Sequence, residues 1–158
     1  MANVLPNRPR QVTQRRSFAV VASQYNPVFV NGLVDHFRAE LNSIATEVGV
    51  TVIEVPGSFE IPVVAQELAA SGRYDAVICF GLVLKGATHH ADLIASAVTN
   101  ALMEISLKHR VPVIHEVLVV TDEEQARERC LDPSLNRGVE AARAAIRVVQ
   151  SIAEAKTR

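Results

Sequence analysis

The sequence SFAVVASQYN at residues 17–26 decides how the rest of the chain is interpreted, because a short apolar run ends there in polar residues. Residues 18–22 are apolar at both odd and even positions, which predicts a β-strand buried on both faces. Such strands are typical of parallel sheets covered by helices. Open α/β sheets bind ligands beyond the carboxyl ends of their strands, so the polar residues that follow are candidates for a site.

The same pattern recurs along the chain and alternates with helical spacing. Further strands are predicted at residues 50–55, 75–81 and 112–120, from β-branched or apolar runs. Helices are predicted at residues 30–48, with Gly49 as a stop, at 59–68, ended by Gly72, and at 91–108. Two more follow from residue 122, separated near Asp132 and Pro133, and the last ends around Ala155. The pattern predicts a flavodoxin-like three-layer α/β/α sandwich, in which helices cover both faces of a four-stranded parallel sheet.

Length and charge limit the possible functions. The chain of 158 residues has 16 basic and 17 acidic residues, so it lacks the general attraction that nucleic acid or anionic lipid requires. It has no apolar stretch of about 18 residues and no secretory signal, so a cytoplasmic location is expected. Cys79 and Cys130 have no paired spacing and are expected to be free thiols. A single domain is predicted at 17–158, after a basic arm at 1–16 that is either solvated or paired with a neighbouring subunit; its arginines are Arg8, Arg10, Arg15 and Arg16.

Residues 85–90, Lys-Gly-Ala-Thr-His-His, join the third strand to the third helix. Small residues and unpaired amides at the positive end of a helix favour an anion such as phosphate at Gly86, Ala87 and Thr88. A glycine turn with Thr88 as a plain helix cap is the alternative. The spacing from Gly81 does not complete a Walker A loop, because Ala87 stands where that loop has Lys. No G-x-G-x-x-G follows the first strand either, so dinucleotide enzymes are not supported.

His89 and His90 begin the third helix, where the positive helix end favours a neutral imidazole that can accept a proton. Asp92 could orient one of them. A metal site is the first alternative, but no third ligand has matching spacing. Ordinary surface histidines are the second.

Other strand ends also carry candidates with two interpretations. The rings of Tyr25 and Phe59 could converge and stack on a flat heterocycle, although Phe59 could instead be a core residue. The Glu60 carboxylate could accept hydrogen bonds from hydroxyl groups or simply favour a helix start. Arg129 and Arg137 could provide a second clamp for a phosphate, or be solvated helix charges.

Together these segments closely resemble the lumazine synthase family. The ordered motifs run from about residue 19 to residue 142 and comprise Tyr25-Asn26, VPGSFEIP at 55–62, residues 81–92, and Glu124-Gln125-Ala126 followed by Arg129, Asn136 and Gly138. The resemblance implies a transferase of riboflavin biosynthesis. Its reaction condenses 5-amino-6-ribitylaminouracil with 3,4-dihydroxy-2-butanone 4-phosphate to 6,7-dimethyl-8-ribityllumazine, phosphate and water, with no cofactor and no metal. The alternative is a flavin- or lumazine-binding protein, or a shell-forming subunit, with weakened catalysis.

The resemblance also implies a role for each matching residue. It puts Tyr25 and Phe59 at the pyrimidine ring, and Val83 and Leu84 along the pocket wall. Polar groups of the ring and ribityl chain would meet Asn26, Ser58 and Glu60. The phosphate would be held by Gly86, Ala87, Thr88 and Arg129. His90 would transfer protons with the help of Asp92.

Several positions depart from the family pattern, among them Val119 and Val120, which replace the usual threonines. His115 and Glu116 stand where the family more often has Phe followed by Gly, and Arg137 replaces a usual Lys. His115 could still stack on the pyrimidine, and Arg137 could still bind substrate. The resemblance further implies a homo-oligomer, a pentamer or multiples of it, with active sites between adjacent subunits.

Overall fold

The computed structural model describes residues 4–158, of which four parallel strands form one sheet in the order β2-β1-β3-β4. The strands are β1 at Arg16–Ser23, β2 at Val48–Val55, β3 at Ala76–Leu84 and β4 at Val113–Val120. The helices are α1 at Pro27–Ile44, α2 at Ile61–Ala70, α3 at His90–His109, α4 at Glu123–Cys130 and α5 at Arg137–Thr157. A 3-10 turn at Ser58–Glu60 precedes α2.

The sheet separates two apolar layers. Phe18 and Val20 of β1 pack toward α1, α4 and α5, whereas Ala19 and Val21 pack toward α2 and α3. Successive side chains of a strand point to opposite faces, so a strand covered on both sides must be apolar at every position. The predicted α/β/α sandwich with helices on both faces is confirmed.

The first predicted helix is wrong at both ends. It begins at Pro27, because Asn26 adopts a left-handed backbone conformation with φ 56° and Pro27 suits the first turn of a helix. It ends at Ile44, so Gly49 is not its stop and lies inside β2. Val48 fits the helical spacing, but it pairs with Arg16 of β1 instead.

The described part of the amino-terminal arm packs on its own chain. Val12 is buried, donates its N–H to the Ile44 carbonyl at 2.8 Å and forms a parallel bridge with Ala45. The Arg8 guanidinium donates to the Ser43 hydroxyl at 2.7 Å. Val12 and Arg8 therefore tie the arm to its own chain although most of its described residues are exposed, and Arg16 belongs to β1 and not to the arm. Residues 1–3 of the arm lie outside the described residues.

Two smaller expectations also have an outcome. Cys79 and Cys130 are buried and free, as predicted. Within residues 4–158, none of the helices is both long and apolar enough to cross a membrane.

Candidate active site

An open cleft of about 630 Å³ lies where β1, β2 and β3 end, beside the start of α3. It is lined by residues from three separate strand ends. Eight residues that the sequence nominated are among them: Tyr25, Asn26, Ser58, Phe59, Glu60, Val83, Leu84 and His90. These residues, together with the loop at 85–89, are called the first half-site below.

The end of β1 is tied to the projecting end of β3. Ala22 of β1 pairs with Phe80, but β3 continues to Leu84 and leaves its edge open on that side. The Asn26 side-chain amide donates to the Leu82 carbonyl at 3.0 Å and so satisfies part of this edge. The left-handed backbone of Asn26 brings its side-chain amide close to the Leu82 carbonyl. This residue therefore stabilises the fold, in addition to its predicted contact with substrate.

Gly57 lets the turn after β2 approach the turn after β1. A Cβ atom there would lie 2.9 Å from the Tyr25 ring, which would have to move. The Gly57 N–H donates to one oxygen of the Glu60 carboxylate at 2.9 Å. That bond supports the structural interpretation of Glu60, because it commits one oxygen to the turn itself.

The 3-10 turn packs closely on β3 and presents an aromatic ring to solvent. A Cβ atom on Gly81 would lie 2.6 Å from the Ser58 hydroxyl oxygen, so only glycine admits the buried Ser58 at this distance. Phe59, the next residue, is 61% exposed, and Tyr25 is 68% exposed. The alternative in which Phe59 is a core residue is therefore wrong. Two large exposed rings at the mouth of a cleft are available to stack on a flat ligand.

The loop between β3 and α3 crosses the rim of the cleft, since Leu84 and His90 on either side of it both line the cleft. Gly86, Ala87 and Thr88 are exposed, and a Cβ atom added to Gly86 would meet nothing within 4 Å. The helix cap is His89 and not Thr88, so the interpretation of Thr88 as a plain cap is wrong. The loop leads directly into the first turn of α3, and the open space beside Gly86 is accessible to an anion.

Asp92 pairs with two side chains of the same region. Its carboxylate lies 3.2 Å from the Lys85 ammonium nitrogen and 3.8 Å from His89 Nδ1. Both contacts are close to solvent, so their contribution to stability is small. The carboxylate serves Lys85 and His89 here, and its predicted help for His90 stays a prediction.

His115 lies on β4 and faces α3. Its Nε2 is 2.7 Å from the Thr99 hydroxyl, and its Nδ1 accepts the Val117 N–H at 3.1 Å. An Nδ1 that accepts a bond carries no proton, so Nε2 carries it and donates to Thr99. The ring keeps an exposed part, yet partial burial lowers the pKa of His115. These contacts favour a neutral ring that can stack on a ligand.

Glu116 points to the opposite face of β4, toward α5, and is 6% exposed. Its carboxylate lies 3.6 Å from Arg137 Nε, and Arg137 also pairs with Glu140. Burial raises the pKa of Glu116 to about 8; Arg137 opposes this rise, and Glu140 adds to it. Two of the positions that depart from the family pattern, Glu116 and Arg137, therefore contact each other.

The predicted site residues fall into two groups that the fold of this chain does not bring together. Arg129 and Arg137 line a small cavity of about 80 Å³ between α4 and α5, and His115 is the third residue of the edge strand β4. None of the three lines the cleft. These residues and Glu116 are called the second half-site. A larger open cavity of about 1000 Å³, between the arm and α5, contains none of the nominated residues.

Sequence reasoning missed several residues that shape the site. Ile94 lines the cleft one turn into α3, and its helical spacing from His90 could have indicated this. Lys85 was inside a quoted motif but received no role, although it pairs with Asp92. Thr99 carried no signal, because its contact with His115 depends on how α3 lies on the sheet.

The protein family and the individual proteins that this chain matches carry the same description. Residues 15–153 match the family described as 6,7-dimethyl-8-ribityllumazine synthase. The relative of that name from Desulfotalea psychrophila is 38% identical over 87% of this chain and 89% of its own, and that from Nitratidesulfovibrio vulgaris is 41% identical over 84% and 86%. A protein named 6,7-dimethyl-8-ribityllumazine synthase 1, from Caulobacter vibrioides, is 38% identical over 85% of this chain and 88% of its own.

A solved structure also aligns with the chain. It is a de novo designed Rossmann fold protein with 18% sequence identity and a TM-score of 0.39, covering 72% of this chain and 91% of its own. The fold assignment rests on the order of the four strands and the two helical layers instead.

Proposed function

The chain belongs to the 6,7-dimethyl-8-ribityllumazine synthase family, and from that premise we propose where its active site lies and how it works. The protein is a transferase that condenses 5-amino-6-ribitylaminouracil with 3,4-dihydroxy-2-butanone 4-phosphate. The products are 6,7-dimethyl-8-ribityllumazine, phosphate and water, in the penultimate step of riboflavin biosynthesis. The observation that carries the proposal is the convergence of three strand ends on one cleft.

The aromatic mouth of the cleft is the proposed site of the pyrimidine. Tyr25 and Phe59 expose their rings there, and stacking on a heterocycle would remove both from water. Asn26, Ser58 and Glu60 supply amide, hydroxyl and carboxylate groups nearby for the polar atoms of the ring and the ribityl chain. Val83 and Leu84 form the apolar wall.

The loop at 86–88 is the proposed phosphate site. Three small exposed residues precede the amino terminus of α3, whose dipole favours an anion. Phosphate bound here would lie close to His90, the first residue of α3. Arg129 is the proposed second clamp, because a guanidinium pairs strongly with phosphate oxygens.

His90 is the proposed proton-transfer residue. The amine must attack the ketone, water must leave, phosphate must be eliminated and the second ring must close, and each step moves a proton. A single imidazole can accept and return protons in several of these steps. The cleft also holds two substrates side by side, which replaces a bimolecular encounter by an intramolecular one.

The second half-site is proposed to come from a neighbouring subunit. His115, Arg129 and Arg137 do not line the cleft of their own chain, although each has a predicted contact with substrate. A cyclic oligomer would bring the two half-sites together, because every subunit then places its cleft against one neighbour and its second half-site against the other. We propose a pentamer, or an assembly of pentamers, in the cytoplasm.

The test is an assay of the purified protein with both substrates, followed by the absorbance of the lumazine product. The two substrates also react spontaneously, so each rate is compared with a mixture that lacks protein. Product formation above that background, and its loss when either substrate is omitted, is the expected result. A rate equal to the background would contradict the proposed function.

A further inference from the structure

Glu116 is the only acidic residue among the buried side chains of residues 4–158. A buried carboxylate is costly unless a partner compensates for its lost hydration. Arg137, 11% exposed in its side chain, is a cation in contact with it. The contact joins the middle of β4 to the first residue of α5, two elements separated by α4 along the chain.

The backbone that carries Arg137 is firmly held. Asn136 is fully buried and caps α5, since its side-chain oxygen accepts the Gly138 N–H at 2.8 Å. Gly138 packs so closely on α1 that a Cβ atom there would lie 2.2 Å from the Leu33 carbonyl oxygen. With the backbone fixed, the position of the guanidinium depends on the groups it touches, which include Glu116 and Glu140.

We propose that Glu116 is a positioning residue that holds the Arg137 guanidinium where the second half-site presents it to a neighbouring cleft. The inference takes its substrate, the ribityl-bearing pyrimidine, from the proposed function. The contact between Glu116 and Arg137 does not depend on that function. Glu116 acts through Arg137, because its own carboxylate lies inside the protein.

The charge state of Glu116 also changes what Arg137 offers. The groups that act on it are Cys130 on α4, and Arg137 and Glu140 on α5; Arg129 acts on the neighbouring Cys130. Burial raises the pKa of Glu116 to about 8, so the carboxyl group is mostly neutral at pH 7. Above pH 8 a second carboxylate competes for Arg137, which weakens its attraction for a ligand.

Two substitutions separate positioning from charge. Glu116→Ala removes the group that Arg137 rests on, and we expect KM for the pyrimidine substrate to rise about tenfold, the effect of losing one charge-assisted contact, with kcat nearly unchanged. Glu116→Gln resembles the neutral acid, so it should keep the KM of the native protein at pH 7. Glu154→Gln, on the exposed end of α5, is the matched control.

The pH profile provides a second, independent readout. Between pH 7 and pH 9 the native KM should rise several-fold relative to that of Glu116→Gln, because only the native protein gains a second carboxylate beside Arg137. Comparing the two proteins at each pH cancels any ionisation of the substrate itself. A constant ratio across this range would overturn the inference, and so would an unchanged KM in Glu116→Ala.

Stability measurements distinguish failure of this inference from failure of the proposed function. In a double-mutant cycle of urea unfolding at pH 7, Arg137→Lys should cost less in the Glu116→Ala background than in the native protein, since the contact is already lost there. That result needs no activity. Additive effects would overturn the inference even if the enzyme is active, whereas a coupled pair in an inactive protein would overturn only the proposed function.

Discussion

The first half-site is open to solvent, whereas the second is built into the fold. Tyr25 and Phe59 of the first expose more than half of their surface, while Glu116 of the second is 6% exposed. Side chains that touch little of their own chain can change without loss of stability, but a buried carboxyl group in contact with Arg137 cannot. Substitutions of the exposed residues of the first half-site, such as Tyr25, Phe59 and His90, should therefore affect activity alone, and those in the second half-site should affect activity and stability together.

The largest expected effect is that of His90→Asn in the first half-site. Loss of a residue that transfers protons should lower kcat about 100-fold and change KM little. Urea unfolding should be nearly unchanged, because His90 is exposed. His89→Asn, which changes the neighbouring histidine, is the control and should retain most activity. Equal losses in the two variants would mean that His90 has no special role.

The next effect is that of Arg129→Ala in the second half-site. Removal of one charge-assisted contact to phosphate should raise KM for the phosphate-bearing substrate about 10- to 100-fold, with a smaller change in kcat. Arg129 is half-buried, so stability should also fall. Arg127→Ala, exposed on the same helix, is the control. A fall in kcat with KM unchanged would reassign Arg129 to another role.

A smaller effect is expected in the pH dependence of stability. The folded pKa of Glu116, about 8, is above its ordinary value of 4.5, so its contribution to stability is complete below pH 4.5 and is lost as pH rises through 8. Relative to Glu116→Gln, the native protein should thus lose free energy of unfolding between pH 5 and pH 9. Parallel curves for the two proteins would show that Glu116 is not buried as described.

The smallest effect is expected for His115→Phe. The folded pKa of His115 is lowered, so its contribution to stability is present above the ordinary value of 6.5 and is lost as pH falls below it. The variant loses the bond to Thr99, which should cost about 1 kcal/mol above pH 6.5. That difference in unfolding free energy should shrink toward pH 5.5. Thr99→Val should lose the same bond but keep the acid dependence of the ring.

Sequence patterns predicted the layers of the fold well and the ends of its elements less well. The apolar run of β1 was decisive, because only a strand covered on both faces needs such residues at every position. Val48 misled, since it continues the spacing of α1 and yet pairs with Arg16 in the sheet. Local spacing cannot tell whether Val48 continues the helix or starts a strand, because its strand pairing is with Arg16, a residue far away in the chain.

In the candidate site, too, the sequence predicted positions along the strands but not the contacts between distant elements. Residues after strand ends were good candidates because parallel strands bring their carboxyl ends to one edge, which is why Tyr25 and Phe59 line the same cleft. The alternation of β4 also implies that His115 and Glu116 face opposite layers. Their partners, Thr99 and Arg137, depend on how α3 and α5 lie on the sheet, and this does not follow from spacing.

The central claim is that each active site combines the first half-site of one subunit with the second half-site of its neighbour. The direct test is to unfold His90→Asn and Arg129→Ala together, refold the equal mixture and assay it with the phosphate-bearing substrate at its native KM, where Arg129→Ala alone has little activity. A site is intact only where an Arg129→Ala subunit supplies the first half-site and a His90→Asn neighbour supplies the second. Random assembly of an equal mixture into rings makes about one quarter of the sites in this way, so about one quarter of native activity should return. Activity no higher than the average of the two variants refolded separately would contradict the claim.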